Sequence, residues 1–418
     1  DLPLSLRRQR QMCIRDSLYA EAYKRTKNPL YKEVIEKTHF FVKTELTTPE
    51  GAFYSAWDAD SLNFIGHKEE GAFYTWEEHE LKTLLGDDFL LFQKMFNINH
   101  FGFWEDGRFV LIQTETLDVL AESFGLSQST LSEKKRNWEQ LLYSEREKRH
   151  KPGLDDKVLT SWNALMLKGY TDAYKATSDE TYLNVARSNA NFIINKLWDE
   201  NGHLWRTYKN GEARINGFLE DYAHTADAFI SLYQSTFDEQ WLQYAKNITD
   251  YALEHFYNEG KQFFLFNQRG QETLVAPHYE TEDNVIPAAN SVIANVLYKL
   301  SLYFDNAHYE KVALQMLYNI IPAMDYPSAF SNWLNLWMDL GADNRELAIS
   351  GTGANEVLKN INAVYLPHIL LAGSEKDSVV PLLKNRFAEN RLLFYVCQNK
   401  ACGLPLENIE ETLNDIQL

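Results

Sequence analysis

Apolar residues recur at helical spacing along most of the chain, in segments that come in pairs. The second member of each pair is amphipathic, which predicts an outer helix with one buried face. The first member is apolar around most of its circumference and rich in small residues, which predicts an inner helix packed on several sides. The predicted outer helices begin at Tyr31, Tyr182, Trp241 and Tyr309, and their inner partners span Leu18–Arg25, Val158–Ala176, Phe218–Ser235 and Val285–Phe304.

Repeated antiparallel helix pairs form either an open solenoid or a closed ring. Here the turns within pairs are short, whereas long aromatic loops cross between pairs, always on the same edge. The inner helices also lack charge on most faces. We therefore predict an all-α fold, an (α/α)6 toroid that is incomplete at its N-terminus, and keep the open array as the alternative.

Three segments depart from the repeat. Residues 1–17 are basic, lack the periodicity and have no apolar signal-peptide core, so we interpret them as a non-native leader in which Cys13 has no role. Within the toroid, assigned to 18–343, residues 76–152 carry helices around a turn-rich stretch and are interpreted as an elaboration between hairpins. Residues 344–418 alternate short β-like runs with helices, which predicts a small α/β appendage.

Composition and charge narrow the class of protein. The 418 residues are 45% hydrophobic and 14% aromatic, enough for a large core. A formal charge of −18 repels phosphate backbones and anionic lipid, so we expect no nucleic-acid or membrane partner. Only three cysteines are present, which fits a reducing cytoplasm. Cys397 and Cys402 are interpreted as a structural pair, because only Lys400 lies nearby in sequence to lower a thiol pKa.

Carboxylates gather where the inner helices begin, next to aromatic residues. Because these positions share one edge of the repeat, we expect them to surround one cavity mouth. Carboxylates that accept hydroxyl hydrogen bonds, beside flat rings that pack on C–H faces, suit a sugar-like ligand. The predicted catalytic residues are Asp58, Asp60, Asp156, Glu220 and Asp221, and the predicted substrate-binding residues are Trp57, Glu70, Trp162, Asn163, His224, Asp283 and Asn290.

Each carboxylate also has a structural explanation, since an acidic residue at a helix N-terminus caps free N–H groups. His224 follows Asp221 by nearly one turn, so it is either a base oriented by that carboxylate or a packed side chain. The other histidines lack metal-ligand spacing, and we predict no metal and no cofactor.

Several long motifs carry a family resemblance. GAFYSAWDADS, EGAFYTW, LDDKVLTSWNALM, FLEDYAHTADAF and the CxxxxCxxP tail occur in order from Leu18 onward. In these motifs the chain resembles the thioredoxin-domain-containing family that includes a spermatogenesis-associated mammalian protein and bacterial YyaL-type homologues. The resemblance implies a toroid similar to six-hairpin glycosidases and N-acylglucosamine 2-epimerases. It also implies that a thioredoxin-like domain and the first hairpin precede this segment in the family and are missing here.

Two functions of different class follow. The first is a carbohydrate- or polyol-processing enzyme, either a hydrolase using two carboxylates or an isomerase using histidine. An inward-facing His224 would favour isomerisation. The alternative is a non-catalytic ligand- or partner-binding module of a redox protein, in which the thioredoxin-like domain performs the chemistry.

Overall fold

A computed structural model describes residues 16–199, 201–271, 276–341, 344–398 and 400–417. Contacts divide the chain into two compact units. The smaller unit is Ala56–Asp155, which begins earlier than the elaboration predicted from Trp76. The larger unit contains the described residues before 56 and after 155. Residues 1–15 of the predicted leader lie outside the described residues, whereas 16 and 17 form the first turn of a helix.

The larger unit begins with a helical hairpin. Helix α1 covers residues 16–26 and α2 covers Pro29–Phe41. The side chain of Asn28 caps α2 by accepting from the Leu30 N–H, and Pro29 occupies the first helical position, where its missing N–H is harmless. The hairpin then ends in a π-helical turn at Val42–Leu46.

The smaller unit combines short strands with four helices. Its strands are β1 (Ala56–Trp57), β2 (Asp60–Leu62), β3 (Lys68–Glu70), β4 (Trp76–Glu77), β5 (Arg108–Phe109) and β6 (Leu154–Asp155), and its helices are α3 (Glu78–Leu85), α4 (Phe89–Met95), α5 (Leu117–Phe124) and α6 (Gln128–Arg146). The periodicity predicts α3, α5 and α6 but misses α4, which spans only seven residues. Its Phe92 packs edge-on against Trp138 in the core of this unit.

An arginine shapes the GAFYTW motif of the smaller unit. Arg149 donates to the backbone carbonyls of Ala72, Phe73 and Thr75. Its guanidinium also lies 4.0 Å from the centre of the Trp76 ring. The motif is therefore fixed by backbone contacts and a cation–π contact.

The larger unit continues with three more hairpins. Its elements are β7 (Val158–Leu159), α7 (Thr160–Thr177), α8 (Glu180–Phe192), β8 (Trp205–Lys209), β9 (Glu212–Asn216), α9 (Leu219–Thr236), α10 (Glu239–Phe256), β10 (Tyr257–Asn258), β11 (Phe263–Phe264), α11 (Ala289–Phe304), α12 (Ala307–Ile320) and α13 (Ser331–Gly341). Within hairpins α7 packs on α8, α9 on α10 and α11 on α12, while α9 also contacts both α7 and α11. The inner helices thus form one continuous wall, and the predicted all-α class of helical hairpins, the (α/α)6 toroid type, is confirmed.

Each outer helix returns to the next inner helix through the same kind of loop. A residue after the helix pairs with one six or seven positions later: Thr47 with Phe53, Trp198 with Leu204, and Tyr257 with Phe264. Gly51 and Gly202 turn the first two loops at φ values of 88° and 87°, a conformation that a side chain disfavours. The repeated loop explains why a glycine follows α2 and α8 in the sequence.

The C-terminal segment forms a mixed sheet with helices. It consists of β12 (Arg345–Gly351), α14 (Ala354–Asn362), β13 (Ile369–Ser374), β14 (Leu392–Gln398), β15 (Ala401–Cys402) and α15 (Ile409–Gln417), with strand order β13-β12-β14-β15. These elements match the predicted β-like runs and helices closely. The segment belongs to the larger unit, because β13 lies against α9. A Cβ at Gly373 would come within 2.2 Å of the Phe237 ring, so only glycine allows this approach.

Cys397 and Cys402 face each other across β14 and β15 and form a disulfide. The cation beside them is not the predicted one. Lys400 pairs with Asp305 and Glu310, whereas Arg386 places a guanidinium nitrogen 2.8 Å from the Cys402 sulfur. No helix in the described ranges is both long and apolar enough for a bilayer span.

Candidate active site

The first turns of α7 and α9 are joined by one buried carboxylate. Asp221 is fully buried, and its Oδ1 accepts from the Ser161 N–H at 2.9 Å. Its Oδ2 accepts from the Phe218 N–H at 2.9 Å, which caps α9. Since both oxygens accept from helix N-termini, Asp221 joins α7 to α9, and its catalytic role stays a prediction.

Arg206 on β8 neutralises the acidic start of α9. Its Nη1 lies 2.5 Å from Glu220 Oε1 and 3.2 Å from Asp221 Oδ2, and its guanidinium stacks over the Phe218 ring. Burial raises the pKa of the Asp221 carboxyl, and the Arg206 charge opposes that shift. Arg206 was not among the predicted site residues, although it follows Trp205 in the strand that leads to the acidic motif.

His224 lies one turn further along α9 and is only 4% exposed. Its ring hydrogen-bonds to the Pro287 carbonyl. The Nε2 atom has no hydrogen-bond partner among the described residues, so Nδ1 is the atom that donates to Pro287. Of the two interpretations of His224, a packed side chain fits the structure better than a base oriented by Asp221, because both Asp221 oxygens accept from backbone N–H groups and the His224 ring lies beside the Pro287 carbonyl.

The environment of His224 keeps its ring neutral. Burial lowers the pKa of His224, against the raising effect of nearby Glu220, Asp227 and Asp283. A neutral ring whose Nδ1 carries the proton presents a lone pair at Nε2. His224 therefore has the protonation state of a general base, and its Nε2 is buried without a hydrogen-bond partner among the described residues.

Glu280 stands on the loop before α11 and was also missed, although it opens the acidic motif of that loop. Its Oε2 accepts from the Ala289 N–H at 3.2 Å. Burial raises the pKa of Glu280, and the neighbouring charges of Glu220 and Asp283 add to the shift. A carboxyl with a raised pKa beside a second carboxylate can hold and deliver a proton.

Asp283 is used for capping. Its Oδ1 accepts from the Ala288 N–H and the Ser291 hydroxyl at 2.9 and 2.8 Å. Its Oδ2 accepts from the Asn332 N–H at 2.8 Å, at the start of α13. The predicted substrate-binding role of Asp283 is therefore replaced by fixing the N-termini of α11 and α13.

Asn163 and Asn290 also have structural roles. The Asn163 side chain accepts from the Phe53 N–H and donates to the Phe53 carbonyl, at 2.8 and 3.0 Å. Asn290 makes the same pair of bonds to Phe264, at 2.8 and 2.9 Å. Their second N–H groups go to the carbonyls of Leu159 and Glu280. With both amide donors occupied, neither residue fits the predicted substrate-binding role.

Two more predicted residues lie around the start of α7. Asp156 forms an exposed ion pair with Lys209 at 2.5 Å, and this contact lowers the pKa of the Asp156 carboxyl. An exposed, ionised carboxylate is a poor general acid. Trp162 is half-buried in the first turn of α7, where part of its ring surface remains accessible.

The remaining predicted residues lie in the smaller unit. Trp57 is half-buried on β1, and Asp58, which follows it, is exposed. Asp60 on β2 stands directly opposite Glu70 on β3. Like charges in such a cross-strand pair repel each other, which favours a cationic or hydroxyl-bearing contact between them. Among the residues described, no group of three or more His, Cys, Asp or Glu side chains is arranged to hold a metal ion.

No family model matches the sequence. The chain is 26% identical over 430 residues to human spermatogenesis-associated protein 20, covering 93% of this chain and 55% of the relative. The mouse protein of that name gives 26% over 431 residues, with the same coverage, and an uncharacterised protein of Caenorhabditis elegans gives 27% over 435 residues, 94% of this chain and 58% of the relative. The chain thus spans little more than half the length of the curated relatives it matches.

Among solved structures, cellobiose 2-epimerase from Bacillus thermoamylovorans matches 75% of this chain and 60% of its own, at 11% identity and a TM-score of 0.44. A sugar epimerase from a ruminal bacterium covers 76% and 60%, at 9% identity and a TM-score of 0.42. A family 105 glycoside hydrolase from C. acetobutylicum covers 76% and 77%, at 12% identity and a TM-score of 0.35. In sequence the chain is similar, over nearly its whole length, to part of spermatogenesis-associated protein 20.

Proposed function

We propose that this chain is a carbohydrate- or polyol-processing protein of the isomerase or epimerase kind, in which His224 transfers the proton. The observation that carries this proposal is the buried, neutral His224 ring, fixed by the Pro287 carbonyl with its Nε2 uncommitted in the described structure. Exchange of a proton at a carbon beside a carbonyl needs a neutral base held in one orientation.

His224 and Glu280 each carry out one proton transfer in the proposed reaction. The Nε2 lone pair takes the proton from the carbon next to the open-chain sugar carbonyl, and the electron pair moves onto the carbonyl oxygen. The Glu280 carboxyl, whose protonated form is favoured because burial raises its pKa, donates its proton to that oxygen. When the enediol collapses, Glu280 takes its proton back. Return of a proton to the same carbon from the opposite face gives an epimer, whereas return from His224 to the former carbonyl carbon gives an aldose–ketose pair.

Glu220 contributes in a different way. Its Oε1 is held by Arg206, and the residue is 8% exposed. We assign it to a substrate hydroxyl, together with stacking on the accessible face of Trp162. Ligand contact stays the proposed role of Trp57, Asp58, Asp60 and Glu70, considered within the smaller unit. We assign Asp156, Asp221, Asp283, Asn163 and Asn290 to the structural contacts described above.

A hydrolase is the second candidate, and Glu280 is the observation that favours it. A carboxyl of raised pKa beside the carboxylate Glu220 is the pairing that glycoside hydrolysis uses. In that mechanism Glu280 would protonate the leaving oxygen and Glu220 would act on the opposite side. His224 would then have no chemical role, so its substitution separates the two candidates.

We further propose that the chain belongs to the thioredoxin-domain-containing family and works beside its thioredoxin-like domain in the cytoplasm. The similarity to spermatogenesis-associated protein 20 over 93% of the chain supports the first part. The charge of −18 argues against a nucleic-acid partner. A non-catalytic binding module is the alternative within the same family.

The proposal is tested with a panel of reducing monosaccharides and disaccharides. Each is incubated with the protein, and the products are separated by chromatography. Epimers or ketoses that form with the wild type, and not with His224→Asn, support isomerisation. His308→Asn, a matched change at an exposed histidine on α12, must leave turnover intact. Release of smaller sugars that survives His224→Asn and disappears with Glu280→Gln would instead establish the hydrolase.

A further inference from the structure

A second pocket lies toward the C-terminal ends of the inner helices, away from His224. It encloses about 400 Å³ within the larger unit. At 1.5 Å per residue, Lys175 stands about 20 Å along α7 from Ser161, whose N–H binds Asp221. Lys168 lies nearer, since it pairs with Asp227, which follows His224 by three positions on α9. The residues that line the pocket include none of those assigned to the candidate active site, although the same helices contribute to both.

Three lysines form one side of this pocket: Lys24 from α1, and Lys168 and Lys175 from α7. The side chains of Lys24 and Lys175 are only 9% and 11% exposed, so both ammonium groups are largely withdrawn from water. Lys168 and Lys175 both form ion pairs with Asp172, with Nζ–Oδ2 and Nζ–Oδ1 distances of 3.8 and 3.6 Å. Lys24 in turn pairs with Glu21, which also lines the pocket, at 3.1 Å between Nζ and Oε1. The three lysines therefore exceed the two lining carboxylates, Glu21 and Asp172, by one positive charge.

The electrostatics of Lys175 agree with that surplus. Burial lowers the pKa of the Lys175 amine to about 8, and the charges of Lys168 and Lys24 act in the same direction. Its Nζ donates to the Ser231 hydroxyl at 2.9 Å, which fixes its position. An anion placed against Lys175 would meet the charges of three lysines, opposed by the carboxylates of Asp172 and Glu21, so the net attraction corresponds to one positive charge.

The opposite side of the pocket is apolar and comes from the C-terminal segment. Ile361, Val364, Leu366, Ile369 and Leu371 line it, beside the ring of Tyr365. Asn362 lines it too, and its Nδ2 has no hydrogen-bond partner within the described ranges, although the residue is 6% exposed. A free inorganic anion would leave this apolar surface unused.

We propose that this pocket binds a small organic carboxylate, with the carboxylate on the lysines and a nonpolar body against the segment 361–371. The volume suits a ligand of about ten to twenty non-hydrogen atoms, since pockets for small molecules begin at roughly 300 Å³. The charged side selects an anion, and the apolar side selects an organic acid over phosphate.

Phenylacetate and its neutral isostere phenylacetamide test the proposal by isothermal titration calorimetry at pH 7. Phenylacetate should bind saturably and at least tenfold more tightly than the amide, because only the carboxylate forms an ion-paired hydrogen bond with the lysines. Inorganic phosphate is the third ligand. Equal binding of acid and amide, no binding of either, or binding of phosphate alone would overturn the proposal.

Substitutions locate the binding. Lys175→Met should weaken phenylacetate binding about tenfold or more, and Asn362→Asp, which adds a negative charge to the pocket without changing side-chain size, should do the same. Lys384→Met, at an exposed lysine outside the pocket, should change the affinity less than about twofold. Circular dichroism checks that each variant folds. Folded Lys175→Met and Asn362→Asp proteins that keep the wild-type affinity would contradict the assignment.

Discussion

Asn163, in the first turn of α7, binds both backbone groups of Phe53 across 110 residues of sequence. Asn290 repeats this contact with Phe264 at the start of α11. At the start of α9 the corresponding loop residue, Leu204, donates its N–H to the Tyr222 hydroxyl. One side chain per inner helix therefore anchors the loop that arrives from the preceding outer helix.

Loss of the Asn163 amide should be costly, because Phe53 would keep a buried N–H and carbonyl without partners. We expect Asn163→Leu to lower the free energy of unfolding by about 3 kcal/mol. Urea denaturation gives the value. Asn247→Leu, at an exposed position on α10, should change it by less than about 0.5 kcal/mol. Similar losses in both variants would show that the contact is unimportant.

Arg206 compensates two buried carboxylates, so its removal should destabilise strongly. Arg206→Met leaves Glu220 and Asp221 without their cation, and we expect a loss of about 3 kcal/mol or more. The matched control is Arg214→Met, which breaks an exposed ion pair between Arg214 and Glu212 within β9. It should lower the free energy of unfolding by at most about 0.5 kcal/mol. A loss in Arg206→Met no larger than in the control would refute the role assigned to Arg206.

Gly373 allows β13 to lie against Phe237, and a methyl group there would displace the ring. Gly373→Ala should lower stability by about 1–3 kcal/mol, measured as a fall in the midpoint of thermal unfolding. Gly341→Ala serves as control, because a Cβ there meets no atom within 4 Å. That variant should be neutral or slightly more stable, as expected for alanine in a helix.

The burial of His39 predicts that the free energy of unfolding falls in acid. Burial between the rings of Tyr170 and Tyr182 lowers the pKa of His39 to about 4. The unfolded chain, with an ordinary pKa near 6.5, binds this proton more readily than the folded protein does. The contribution of neutral His39 to the free energy of unfolding is therefore fully present above about pH 6.5. It is lost as the pH falls toward 4, and the loss amounts to about 3 kcal/mol.

Urea denaturation between pH 7 and pH 4.5 measures this dependence. His39→Leu should flatten it, whereas His308→Asn, at an exposed histidine, should follow the wild type. An unchanged slope in His39→Leu would place the acid sensitivity elsewhere. Comparison between variants is needed because other buried groups also titrate in this range.

The repeat could be predicted from the sequence because burial imposes a periodic pattern on each inner and outer helix. The roles of the acidic residues could not. Asp221 and Glu220 are adjacent in one motif, yet the first caps two helices while the second faces Arg206. That difference depends on which N–H groups and cations the fold brings close, and periodicity carries no information about them.

The same limit applies to His224. Its spacing from Asp221 indicated a carboxylate partner, but the ring is fixed by Pro287, which lies 63 positions further along the chain. Similarly, the lysine pocket combines α1, α7 and a loop of the C-terminal segment, which are far apart in the sequence. Contacts of this kind appear only once the hairpins are packed.

Solvent deuterium exchange tests the central claim, proton transfer by His224, most directly. A sugar that the protein turns over is incubated in D2O, and the signal of the proton beside the carbonyl is followed by proton NMR. The account predicts that the wild type and His308→Asn replace this proton with deuterium, and that His224→Asn does so at least about 100-fold more slowly. Exchange at the wild-type rate in a folded His224→Asn protein would contradict it.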